Sequence, residues 1–98
     1  MNNSVEAFFP CGIEVSHLLL VVALRAHDHD EPQREFSNTP EGHQALLRFL
    51  ERSARPVRVA MESTGLYGLD LALALHQAGI SVMVARSEER RVGKECRL

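Results

Sequence analysis

The residues of this 98-residue chain that could do chemistry begin with two acids. Glu14 sits in the alternating run Cys11-Gly12-Ile13-Glu14-Val15-Ser16, and Glu62 follows the apolar run Val57-Arg58-Val59-Ala60-Met61, just before Ser63-Thr64-Gly65. An acid in the middle of one strand and an acid ending a parallel neighbour can converge at one end of a sheet. Their like charges then repel unless a cation sits between them. Two-metal phosphoryl-transfer sites use such pairs with ions about 3.5–4 Å apart, and Mg2+ takes few carboxylates beside waters and phosphates. The alternative for Glu14 is the solvent-facing position of an alternating strand, with no chemistry attached.

Other groups invite sharper claims than they carry. His27-Asp28-His29-Asp30-Glu31 has metal-ligand chemistry, but a polar run ending in Pro32 reads as a hairpin loop and is left out of the site. Ser63-Thr64-Gly65 could offer amides to a phosphate or serve as a plain helix cap. His43 and His76 fall at helix-surface or core-edge positions. Cys11 and Cys96 match no zinc or CxxC spacing, so Cys11 is expected to be a small buried hydrophobe.

The elements that must position the acids follow from periodicity. Cys11 to Ser16 and Leu20 to Leu24 read as two strands of a hairpin, with Pro10 just before the first, where a missing amide donor is tolerated. Arg34 to Ser37 is a short third strand. Asn38-Thr39-Pro40-Glu41 starts a helix, with a capping side chain, proline at the first helical position and an acid in the first turn; Leu46, Phe49 and Leu50 recur along it. Arg52 to Pro56 ends that helix, and Val57 to Met61 is a buried strand. A second helix, about Tyr67 to Ala78, carries Leu69, Leu73 and His76 on one side and Leu71, Leu75 and Ala78 beside it. It reads as a core helix, any exposed part of whose broad apolar surface could pair with a second subunit. Gly79 supplies its C-terminal cap, and Ile80 to Val84 makes a fifth strand. The order β-β-β-α-β-α-β, with right-handed crossovers, is that of an α/β RNase H-like mixed sheet.

Composition bounds the answer further. With 45% hydrophobic and 24% charged residues the chain is globular, and at this length its stability is expected to be marginal. The apolar run Leu18 to Leu24 is far short of the roughly 18 residues of a membrane span, and the opening residues lack a secretory pattern, so a cytoplasmic protein without membrane contact is expected. The net charge of -2 becomes -4 for residues 1–85 alone, which argues against a free-standing nucleic-acid binder.

Four blocks together resemble one family, the DEDD-type transposases of insertion sequence 110. Gly12-Ile13-Glu14-Val15-Ser16 is similar to its opening Gly-Ile-Asp-Val-Ser motif, with Val22-Ala23-Leu24 at its second strand. Arg34 to Gly42 resembles its third strand and the approach to its first helix. Met61-Glu62-Ser63-Thr64-Gly65-Leu66-Tyr67-Gly68 resembles its fourth strand with its acid, and His76-Gln77-Ala78-Gly79 its next helix end. The resemblance implies an amino-terminal part of a DNA transposase or recombinase whose RuvC-like domain holds Mg2+ with four acids in the order Asp, Glu, Asp, Asp. Glu14 stands in the first acidic place and Glu62 in the second, as metal ligands and catalytic groups. The third and fourth acids have no counterpart here, so the resemblance also implies a fragment inactive alone. A separate serine-bearing domain, a guide RNA that pairs with DNA and a homo-oligomeric complete protein are further implications. Two departures stand out: glutamate replaces aspartate at position 14, adding a methylene, and His17 stands where the family usually has lysine.

Residues 1–85 are thus read as a partial RNase H-like domain and 86–98 as a non-native tail. That tail holds the chain's only lysine and is similar to a translated sequencing-library adapter; a natural basic tail touching nucleic acid is the rival reading. Two other functions fit the same sheet: an actin-like sugar or acetate kinase binding ATP, and a non-catalytic RNase H-like interaction module.

Overall fold

The computed structural model describes residues 8–27, 29–63 and 66–86, with residue 86 described by its backbone alone. Six strands and two helices form in the order β1 (Phe9–Val15), β2 (Leu19–Ala26), β3 (His29–Asp30), β4 (Arg34–Ser37), α1 (Pro40–Glu51), β5 (Val57–Ser63), α2 (Leu69–Gln77) and β6 (Ser81–Arg86). They make one mixed sheet in the order β3-β2-β1-β5-β6, with β4 also paired to β2. β1 is central, antiparallel to β2 and parallel to β5, and β5 is parallel to β6. The expected hairpin is therefore present, and the parallel pairs β1–β5 and β5–β6 are each joined by a crossover through a helix.

The sheet buries one face. Phe9, Cys11, Ile13 and Val15 of β1 line up with Leu24, Val22 and Leu20 of β2 and with Val57, Val59 and Met61 of β5. Leu46, Leu47 and Leu50 of α1 and Leu71 and Leu75 of α2 join them in a single core. Cys11 is part of it, 3% exposed, as its type suggests.

Several boundaries move for identifiable reasons. β1 begins at Phe9, so Pro10 lies inside it rather than before it. Phe9 donates its amide to Pro56, which turns the next position toward β2, where pairing starts only at Cys11; a residue without N–H fits there. The run around Asp30 is not wholly a loop: His29–Asp30 forms β3 against the far end of β2, and Asp30 pairs with Arg25 at 2.9 Å. Asp28 lies outside the described residues.

The helix ends obey local chemistry. Thr39 caps α1 by accepting from the Gly42 amide at 3.1 Å, with Pro40 at the first helical position. Gly42 cannot be larger, because a Cβ there would stand 1.8 Å from the Ser37 carbonyl oxygen. α2 starts two residues later than expected, Leu66 to Gly68 forming a turn before it. It ends in a Schellman motif: Gly79 at φ 82° donates to His76, and Ile80 donates to Leu75, both at 3.0 Å. Leu71 and Leu75 are fully buried, whereas Leu69 and Leu73 are more than half exposed, so only one of the two apolar stripes on α2 is core. No helix among the described residues is long and apolar enough to cross a membrane.

Candidate active site

The second face of the sheet carries the acids. Alternation along β1 exposes Pro10, Gly12 and Glu14, and along β5 it turns Arg58, Ala60 and Glu62 to the same side. Glu14 and Glu62 are direct register partners on adjacent parallel strands, which lie about 4.8 Å apart. Both line one open depression of about 280 Å3 with Gly12, Val21, Ala23, Gln33 and Ala60. Glu14 is exposed and Glu62 half-buried.

This face is graded in charge. One level runs Glu35, Val21, Glu14, Glu62, Ala85 across β4, β2, β1, β5 and β6. The next level is apolar, with small Ala23, Gly12 and Ala60 and the larger Met83 at the border. Beyond it stand Arg25 on β2 and Arg58 on β5. Acids and arginines are thus four residues apart along their strands, about 13 Å at the usual rise. A cation at the Glu14 level would be drawn to the acids and kept from the arginines.

No group of three or more histidine, cysteine, aspartate or glutamate side chains that could hold a metal occurs among the described residues. Glu14 and Glu62 therefore make a two-carboxylate set, which suits an octahedral hard cation whose remaining positions go to water or phosphate. Glu35 is separated from Glu14 by the whole of β2 and does not join them.

On the helix side of the same sheet end lies a polar network that periodicity did not reveal. The Asn38 amide donates to the Ser16 carbonyl at 2.9 Å and the Tyr67 carbonyl at 3.1 Å, tying the turn after β1 to the turn before α2. Its nitrogen is committed to those two acceptors, so its oxygen faces His43 Nε2 at 2.8 Å and accepts from it. His43 is therefore the Nε2–H tautomer. It is 6% exposed, not at the helix surface, and burial holds its pKa below the usual 6.5, opposed in part by the Asp70 carboxylate. His17 and Tyr67 stand ring to ring above this network, centroids 5.1 Å apart. The only advance signal was Asn38 beside the helix cap. His76 is exposed, as a surface helix position should be. Thr64 and Gly65, candidates for phosphate contact, and residues 87–98 of the tail lie outside the described residues.

Comparison with known proteins agrees with this architecture. T. thermophilus RuvC, solved in complex with a Holliday junction substrate, superposes with a TM-score of 0.55 at 15% identity, over 83% of this chain and 66% of that one. Two structures of Aquifex aeolicus Ppx/GppA proteins match at 11% identity with TM-scores of 0.42 and 0.44, covering 85% of this chain but only 36% and 37% of theirs. The chain spans just under two thirds of the RuvC protein and little more than a third of the other two. A search of curated proteins found no match. The fold is RNase H-like, of the RuvC kind. Residues 11–91, running past β6, match the family model of the DEDD transposases, and the chain belongs to the insertion sequence 110 family of transposases.

Proposed function

We propose that this chain is the amino-terminal part of a DNA transposase that cuts and joins DNA in a Mg2+-dependent, RNA-guided reaction, and that it supplies two of the acids but no activity alone. The observation that carries this reading is the register of Glu14 against Glu62 on the open face. Like charges on adjacent strands are destabilising, so a sheet that keeps two there gains from a cation between them. Glu62 is half-buried near the end of β5; Glu14 is exposed and one methylene longer than the aspartate of the family motif, and the two stand at the same level of the sheet. Bound there, Mg2+ would neutralise charge on a phosphate and lower the pKa of a coordinated nucleophile. The neighbouring Gly12 leaves room beside the pair, since a Cβ there would meet nothing within 4 Å. Phosphodiester backbone can approach the acids from that side.

The family's third and fourth acids, its serine nucleophile and its RNA partner belong to the complete protein in this reading. DNA is the substrate, and copies of the complete protein assemble on it. The test is Mn2+ titration of the whole chain followed by electron paramagnetic resonance, with supercoiled plasmid assayed in parallel. Weak binding is expected that falls at least about tenfold in Glu62→Gln, because one of two carboxylates is lost, with no nicking by either protein. Metal affinity unchanged by Glu62→Gln, or nicking that disappears in Glu62→Ala, would overturn the assignment.

A further inference from the structure

We propose that the cleft between α1, α2 and the turn after β1 seats one unstacked nucleobase of a single strand, with Tyr67 as its stacking surface. The cleft measures about 440 Å3 and is lined by His17, Asn38, Gln44, Tyr67 and Asp70 among others. Its size lies in the range of small-molecule pockets. Two features select a base over a phosphate. No lysine or arginine among the described residues lines it, and Asp70 adds negative charge, so a phosphate group would be repelled. Tyr67 is 47% exposed, with its ring tilted 34° to that of His17, and it offers an aromatic face of the kind that bases stack upon. The Gln44 amide and Asp70 carboxylate, both exposed, are free of hydrogen bonds among the described residues and can meet the donors and acceptors of a base edge.

Position gives the cleft its use. His17 is three residues beyond Glu14 and Tyr67 five beyond Glu62, so chain length alone keeps them within about 10 Å and 17 Å of the acids. The acids face the open side and the cleft faces the helices. A strand whose base enters the cleft and whose backbone continues over the rim of the sheet would reach the acidic level. Asn38, held by His43, fixes both loops that form the cleft and so sets its width. The inference takes the identity of its ligand from the nucleic-acid reading above, but does not depend on the acids binding metal.

Tyr67 is the only tyrosine in the chain, so a 13C-labelled tyrosine ring gives one unambiguous nuclear magnetic resonance signal. The whole chain, in EDTA, is titrated with single strands about eight nucleotides long, a length within the range bound by one single-strand-binding domain. Deoxyribose, ribose and abasic versions are compared. A saturable upfield shift of the Tyr67 ring with base-bearing strands, absent with the abasic strand, is expected. The tighter of the deoxy and ribo strands identifies the source of the base. Tyr67→Ala should weaken binding about 5- to 150-fold, the range that corresponds to loss of one stacked base, while Tyr67→Phe retains it. Equal binding of the abasic strand, no binding of any strand, or a change under about twofold in Tyr67→Ala would overturn the proposal. Because the measurement excludes metal, failure of the acidic site in the Mn2+ titration leaves this result independent.

Discussion

The two faces of the sheet obey opposite rules although they are made by alternate residues of the same strands. On the helix side, Ile13, Leu20, Val22, Val59 and Met61 are at most 2% exposed. On the other side the same strands present Gly12, Glu14, Val21, Ala23, Ala60 and Glu62, small or acidic and open to solvent or half-buried. A one-residue slip of register would exchange the two sets. The covered face therefore locks the register, and the register places Glu14 against Glu62. Stability and chemistry are separated by face but coupled through the ladder.

The largest effect that would test this division is chemical. Burial in the covered face pushes the Cys11 thiol up to about 12 from 9.0. In a Cys96→Ser variant at pH 8, Cys11 should react with a disulfide reagent roughly three orders of magnitude more slowly when folded than in denaturant, following its thiolate fraction. Fast labelling of the folded chain would mean that this face opens readily. Next comes packing: Leu71→Ala, at a position with no exposure, should cost about 2–5 kcal/mol by urea unfolding. Met83→Ala on the open face, 64% exposed, should cost less than about 0.5 kcal/mol. Equal losses would show the open face to be packed in solution. The smallest contrast compares two glycines. Gly42→Ala should lose about 1–3 kcal/mol despite better helix propensity, because its Cβ collides with backbone, whereas Gly12→Ala should gain about 0.5 kcal/mol. A destabilised Gly12→Ala would place unseen contacts over the acids.

How far the sequence foretold this depended on whether a feature is local. Caps and strands with strong periodicity were legible: Thr39-Pro40 and Gly79 end their helices by short-range hydrogen bonds that the residue types specify. Pairing of Glu14 with Glu62 followed from crossover topology, because the motif residues fell on the correct alternating face. Less was legible where distant segments decide. β3 forms because the long end of β2 needs a partner, which overrides the polar composition of His29-Asp30. Of the two apolar stripes on α2, only contact with the sheet selects Leu71 and Leu75 over Leu69 and Leu73. His43 is polar at a helix position, but its burial comes from Asn38, which in turn is held by turns 22 and 29 residues away.

The two borders of the sheet will behave differently as protein concentration rises. The outer side of β2 is occupied by β3 and β4, with Pro32 between them as a gap in the donor row. β6, Ser81-Val82-Met83-Val84-Ala85-Arg86, pairs only with β5 among the described residues. It is six residues long, β-branched and apolar, without proline, and its only charge is at the last position. Such a segment is a template for strand addition by another molecule. Self-association of the chain is therefore expected along this border rather than along the outer side of β2.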